Sequence, residues 1–212
     1  MTKIMAKILK RGMKGDPLIV RLQEALHLQA DGIFGRLTEE AVKEWQREHG
    51  LDPDGIVGAK TWESIFGNEL ILAKSKRRID EIIVHCTASR EGQPLTVDAI
   101  RRMHIRERGW SDIGYHYVVY LDGSLHEGRN VNISGAHCTG HNTHSIGVVY
   151  VGGVMRDGKT PKDTRTEAQK AGLIKLLKDL KKLYPKATIH GHREFANKAC
   201  PCFDAKREYR DL

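Results

Sequence analysis

Near its C-terminus the chain reads His190-Gly191-His192-Arg193-Glu194-Phe195-Ala196-Asn197-Lys198-Ala199-Cys200-Pro201-Cys202-Phe203, which brings imidazoles, an ammonium and thiols close together. Such a mixture has little value as core. Imidazole and thiolate together suit zinc, and a catalytic zinc takes three protein ligands while leaving a position for water. The stretch supplies two ligands, so a third must come from elsewhere. Glu81-Ile82-Ile83-Val84-His85-Cys86-Thr87 is a short apolar run ending in a histidine, the pattern of a buried strand that delivers a side chain at its carboxyl end. His85, His192 and Cys200 would then form a His-His-Cys site assembled from distant segments. His190 and Cys202 lie near enough in sequence to compete as ligands. A cysteine hydrolase with Cys86 or Cys200 as nucleophile beside a histidine is a second chemistry that these residue types permit.

Elements must hold these side chains in place. After the strand bearing His85, a helix is predicted to start at Thr96, to carry Ile100, Met103 and His104 at helical spacing, and to stop at Gly109. Tyr115 to Leu121 reads as a strand turned by Asp122-Gly123, with Ser124 to Glu127 as its hairpin partner. Ser145 to Val151 is another apolar strand, ended by Gly152-Gly153. Thr166-Glu167-Ala168-Gln169 is a capping-box sequence, and the helix it opens shows Ala171, Ile174, Leu177 and Leu180 on one side with lysines on the other. The chain returns through Thr188-Ile189 to the histidine and cysteine stretch. Alternating elements of this kind predict an α/β domain with a central mixed β-sheet flanked by helices. If the loop before Cys200 is extended, Lys198 projects from the same side as the Cys200 thiolate.

The first third of the chain repeats itself. Asp31-Gly32-Ile33-Phe34-Gly35-Arg36-Leu37-Thr38 returns as Asp54-Gly55-Ile56-Val57-Gly58-Ala59-Lys60-Thr61, each time a turn followed by a threonine suited to cap a helix. Helices are expected near Thr38 and Thr61, and an earlier one at Asp16-Pro17, with an N-cap acid and a proline in the first helical position. These three would make a small helical bundle. The resulting division is a bundle over residues 1–67, a linker over 68–79 ending in the basic cluster Lys76-Arg77-Arg78, and the α/β domain over 80–212.

The 212 residues carry a net charge of +8, so an anionic partner is expected: nucleic acid, a membrane surface or the carboxylate-rich bacterial wall. Aromatic residues are only 6%, and no helix-turn-helix or RNP-like pattern is present, which places nucleic acid below the wall. No run approaches a membrane span. The basic start Met1 to Lys10 lacks the long apolar core of a signal peptide, so synthesis in the cytoplasm without a signal peptide is expected. Cysteines at 86, 138, 200 and 202 do not form a regular disulfide framework, and Cys86 and Cys138 read as buried free thiols.

Taken together, Val84-His85-Cys86, Gly109-Trp110-Ser111-Asp112-Ile113-Gly114-Tyr115-His116, Gly135-Ala136-His137, Ser145-Ile146-Gly147-Val148 and the stretch from His192 to Cys200-Pro201 resemble the zinc-dependent N-acetylmuramoyl-L-alanine amidases of the phage T7 lysozyme and peptidoglycan-recognition-protein family (amidase type 2). The N-terminal segment resembles a peptidoglycan-binding domain through Leu22-Gln23, Asp31-Gly32-Ile33-Phe34-Gly35, Trp45-Gln46, Asp54-Gly55-Ile56-Val57-Gly58 and Thr61-Trp62. The resemblance implies a zinc site of His85, His192 and Cys200, in preference to His190 and Cys202. It implies catalytic roles for Tyr115, which would orient the attacking water, and for Lys198, which would offset oxyanion charge. It places His137 toward the substrate. The function implied is an endolysin-like peptidoglycan hydrolase acting on muropeptides of the wall after release from the cytoplasm. The chain is expected to work as a monomer and, from its composition, without nucleic acid. The alternative within the family is a non-catalytic peptidoglycan-recognition protein.

Overall fold

A computed structural model of the chain describes residues 8–67, 70 and 72–212. The first seven residues of the stretch read for a signal peptide, and residues 68, 69 and 71 of the expected linker region, lie outside the described residues. The chain divides into two compact units, Met1–Glu69 and Leu70–Leu212. Among the described residues no helix is long and apolar enough to cross a membrane.

The first unit contains α1 (Pro17–Ala25), α2 (Arg36–Glu48) and α3 (Ala59–Phe66). Asp16 caps α1, its carboxylate accepting from the Leu18 N–H at 3.0 Å. The repeated threonines do not cap their helices. Gly35 and Gly58 occupy the N-cap positions, and Thr38 and Thr61 are buried one turn further in. A buried glutamine on the preceding helix explains this. The Gln23 amide donates to Asp31 Oδ1 (2.8 Å), the Ile33 carbonyl (3.0 Å) and Thr38 Oγ1 (3.1 Å), and its oxygen accepts from Gly32 N (2.9 Å). Gln46 repeats the set with Asp54 (2.9 Å), Ile56 (3.0 Å), Thr61 (3.1 Å) and Gly55 (2.9 Å). Each threonine hydroxyl is therefore drawn inward to complete a polar clamp between helix and turn. Leu9, Ile19, Leu22, Phe34, Val42, Val57 and Trp62 form the apolar interior.

The second unit contains β1 (Glu81–Cys86), β2 (Ser89–Arg90), α4 (Val97–Arg108), β3 (Tyr117–Val119), β4 (Leu125–Glu127), β5 (Ser145–Tyr150), β6 (Gly153–Val154), α5 (Glu167–Leu183), β7 (Thr188–Gly191), a 3-10 turn His192–Glu194 and α6 (Ala205–Glu208). Five strands form a mixed sheet in the order β4-β3-β5-β1-β7, and β2 pairs with β6. The β3–β4 pairing is antiparallel; β1 runs parallel to both β5 and β7, and β3 parallel to β5. Strand alternation sends Ile82, Val84 and Cys86 into the large core with Leu173, Leu176, Leu177 and Leu180 of α5. Glu81, Ile83 and His85 face the other way. The buried stripe of α5 is thus Leu173, Leu176, Leu177 and Leu180, whereas Ala171 and Ile174 turn outward. Its capping box forms as read, with Thr166 and Gln169 exchanging hydrogen bonds.

Residues 72–79 are bound into this unit. Leu72 packs against the core, Ser75 N donates to Tyr184 Oη (2.5 Å), and Ser75 Oγ donates to the Val131 carbonyl (2.7 Å). Arg77, part of the basic cluster, gives its guanidinium to the carbonyls of Val131 (2.8 Å), Asn142 (3.1 Å), Thr143 (3.1 Å) and Ser145 (3.2 Å). It serves as a bracket for two loops.

Candidate metal centre

Parallel pairing sets His85 beside Val149 near the end of β1, while β7 runs alongside and hands the chain to the turn carrying His192. Cys200 comes back to the same place because its sulfur accepts from the Cys86 N–H at 3.2 Å and lies 3.9 Å from His85 Nδ1. One donor atom from each of His85, His192 and Cys200 lies within 4.8 Å of the other two. Segments far apart in sequence thus converge on one cluster.

The competing side chains are engaged elsewhere. His190 has Nδ1 on Glu194 (2.8 Å) and Nε2 on Thr188 (2.8 Å). Cys202 donates to the Gly153 carbonyl at 3.1 Å and sits 3.8 Å from the Cys86 sulfur. Cys86 and Cys138 are buried free thiols. The Cys86 thiol is pushed up to about 12, with its contact to Cys200 the largest cause, which removes it as a nucleophile near neutral pH.

The protonation pattern follows from hydrogen bonding and burial. His85 Nε2 lies 3.0 Å from His137 Nδ1, and His137 Nε2 lies 3.4 Å from Ser145 Oγ. With the His85 proton on Nε2, donated to His137, the Nδ1 lone pair is left facing Cys200. An orienting partner on the second ring nitrogen is the usual arrangement for a ligating histidine. Burial holds His85 well below its ordinary range, and the neighbouring His137, His192 and Lys198 act in the same direction. His192 is also lowered, by burial and then by Lys198. Cys200 is lowered by its contact with the Cys86 thiol and by the Cys86 N–H, which together outweigh burial. Neutral imidazoles beside a thiol inclined to ionise are the donor states a transition metal requires.

Tyr115, the predicted strand start, lies two residues before the observed start of β3 at Tyr117, with its ring centroid 5.2 Å from that of His85. Burial pushes its phenol well up, so it stays protonated. Lys198 is exposed and its charge is felt at His85, His192 and Cys200, but the loop around it is bent, not extended; the Lys198 N–H donates to the Ala196 carbonyl at 2.8 Å. The parity argument from an extended loop does not apply. His137 is buried against His85 and Ser145, its backbone N–H held at 2.8 Å by Asn142 Oδ1.

Sequence reasoning did not identify Asn142, Ser145 or the reason for Gly147. A Cβ at Gly147 would lie 2.5 Å from the His137 ring, so only glycine lets that imidazole lie flat on β5. His116 Nδ1 accepts from the Gly147 N–H (2.9 Å) and its Nε2 donates to the Ile133 carbonyl (3.0 Å), fixing the backbone beneath. The motif Ser145-Ile146-Gly147 carried the signal, but its meaning depends on the β1–β5 register.

The profile of the family described as N-acetylmuramoyl-L-alanine amidase matches residues 75–203, and one described as "Putative peptidoglycan binding domain" matches residues 19–65. The endolysin of Escherichia phage T7 is 42% identical over 134 residues, covering 63% of this chain and 87% of that protein. Among solved structures, the Ph2119 endolysin from Thermus scotoductus MAT2119 bacteriophage Ph2119 aligns with a TM-score of 0.52 and 28% identity, over 66% of this chain and 88% of that one. The N-acetylmuramoyl-L-alanine amidase LysC from Clostridium intestinale URNW aligns with a TM-score of 0.52 and 26% identity, over 66% and 91%.

Proposed function

The chain belongs to the N-acetylmuramoyl-L-alanine amidase family and is a peptidoglycan hydrolase, and from that premise we propose that hydrolysis takes place at His85, His192 and Cys200 with zinc as the ion they hold. The bond cut is the amide between the lactyl group of N-acetylmuramic acid and L-alanine. The observation that carries the assignment is the convergence of two imidazoles and one thiol from three separate segments. That borderline-soft donor set fits zinc. Zinc bound there supplies Lewis acidity, polarising the scissile carbonyl and making a water nucleophilic near neutral pH.

The remaining work falls to the chain's own groups. His137 Nδ1 accepts a hydrogen bond from His85 Nε2–H and its own Nε2–H points toward Ser145 Oγ, which keeps His85 in the tautomer with Nδ1 free. Tyr115, protonated, orients the attacking water by hydrogen bonding; it does not act as base. Lys198 offsets negative charge that develops on the amide oxygen, an effect of about 3–4 kcal/mol for one well-aimed donor. The N-terminal unit, with its peptidoglycan-binding resemblance, keeps the enzyme on the wall. The cluster is complete within one chain, which supports action as a monomer. The endolysins among its relatives support a place of action at the wall, reached after release from the cytoplasm. Retention of Tyr115, Lys198 and Cys200 favours the enzyme over a protein that only recognises peptidoglycan.

The test is Cys200→Ser in the full chain. Peptide release from purified peptidoglycan is expected to fall below about 1% of the parent, in keeping with the size of single-group catalytic losses, while the protein still pellets with the wall. Release at the parent rate would remove Cys200 from the site.

A further inference from the structure

At the other end of β1 from His85, a second set of donors comes together. Glu81 opens the strand, and His141 and His144 lie in the turn that leads into β5. His141 Nδ1 is 2.8 Å from Glu81 Oε2, and His144 Nε2 is 3.4 Å from the same oxygen. One donor atom from each of the three lies within 4.8 Å of the other two. Their side chains are 16%, 27% and 34% exposed in that order, open enough to admit an ion and enclosed enough to hold one.

The backbone fixes this corner independently of the side chains. The His144 carbonyl accepts from the N–H groups of Asp80 (2.8 Å) and Glu81 (3.3 Å), and Ser145 is the register partner of Glu81. Glu81 and His144 are therefore held side by side by the sheet itself. The Phe195 ring stands 3.9 Å from the His141 ring and limits its swing. A single carboxylate oxygen faces both imidazoles. A divalent cation set between the carboxylate oxygen and one deprotonated ring nitrogen of each imidazole would replace these contacts with three bonds to the metal.

We propose that Glu81, His141 and His144 form a second metal site, for a divalent cation of the zinc class, separate from the His85–His192–Cys200 cluster. Two imidazoles and a carboxylate with water completing the shell make a donor set typical of zinc. The site has a structural consequence for the first one. The same turn carries Asn142, whose Oδ1 accepts from the N–H groups of His137 (2.8 Å) and Cys138 (2.9 Å), and His137 in turn orients His85. An ion bridging the turn to β1 braces that support and takes no part in the chemistry.

The experiment measures zinc per chain by elemental analysis in full-length protein that has been loaded with zinc and then gel-filtered. The parent is expected to hold two ions, Cys200→Ser one, His144→Ala one, and the double variant none. Glu81→Gln, which keeps the side-chain shape, should match His144→Ala, and circular dichroism verifies that each variant is folded. Addition of zinc should raise the thermal midpoint of Cys200→Ser but not that of the double variant. A single ion in the parent that His144→Ala and Glu81→Gln both keep, or two retained in both variants, would overturn the second site. Two ions retained in Cys200→Ser would count against the first site instead, so the two assignments fail separately.

Discussion

A phenol serves as a base only if its proton leaves near the working pH, and burial moves Tyr115 in the opposite direction. Replacing Tyr115 by phenylalanine should therefore lower the hydrolysis rate on soluble muropeptide by about 10²-fold, the scale of one positioned hydrogen-bonding group. The alkaline limb of the pH–rate profile should stay where it is in the parent. A limb that disappears with the phenol would make Tyr115 the base after all. At this scale the sequence was informative wherever a residue type was rare and its role local: His85 at a strand end, or a thiol next to proline. It was silent where the role comes from register. Ser145 and Gly147 matter because β5 lies in parallel register beside β1 and carries the His137 ring on its surface. Lys198 acts on His85 by its charge from a bent loop, an arrangement that strand parity could not describe.

Elements in this protein are tied together by buried polar side chains as well as by apolar ones. The clearest case is the repeated clamp of Gln23 and Gln46, each making four hydrogen bonds to the turn and helix that follow. Replacing Gln46 by leucine leaves the Gly55 N–H and the oxygens of Asp54, Ile56 and Thr61 without that partner. The fully buried contacts among these are those to the Gly55 N–H and the Thr61 hydroxyl, so the cost is about 2–6 kcal/mol at roughly 1–3 kcal/mol per buried group. A bundle of this size has roughly 3–5 kcal/mol to lose. The variant should fail to pellet with the wall at 37 °C while still hydrolysing soluble muropeptide; full wall binding would show that the clamp is dispensable. The turns of this repeat were legible in the sequence, but the threonines were not. A threonine after a glycine turn reads as a cap until the glutamine that competes for its hydroxyl is seen, and that glutamine sits on another helix. The role of Arg77 was hidden for a similar reason, because the loop carbonyls it binds are brought near only by the fold.

The whole molecule joins a small helical unit to an α/β unit, each with its own apolar interior. Its net charge of +8 suits a polymer rich in carboxylates. The α/β architecture was legible because strands, turns and a capping box alternate in sequence, and the order of the chemical motifs added the family. The pairing order β4-β3-β5-β1-β7 was not, since parallel neighbours are chosen by packing across the sheet and not by nearness along the chain. The central claim is that metal held by His85, His192 and Cys200 drives amide hydrolysis. It is tested most directly by peptide release from purified peptidoglycan, using full-length protein of measured zinc content before chelation, after chelation and after zinc is restored. The account predicts release that is lost with the metal and recovered with it, leaving new L-alanine amino termini. Undiminished release from protein stripped of all zinc would contradict it.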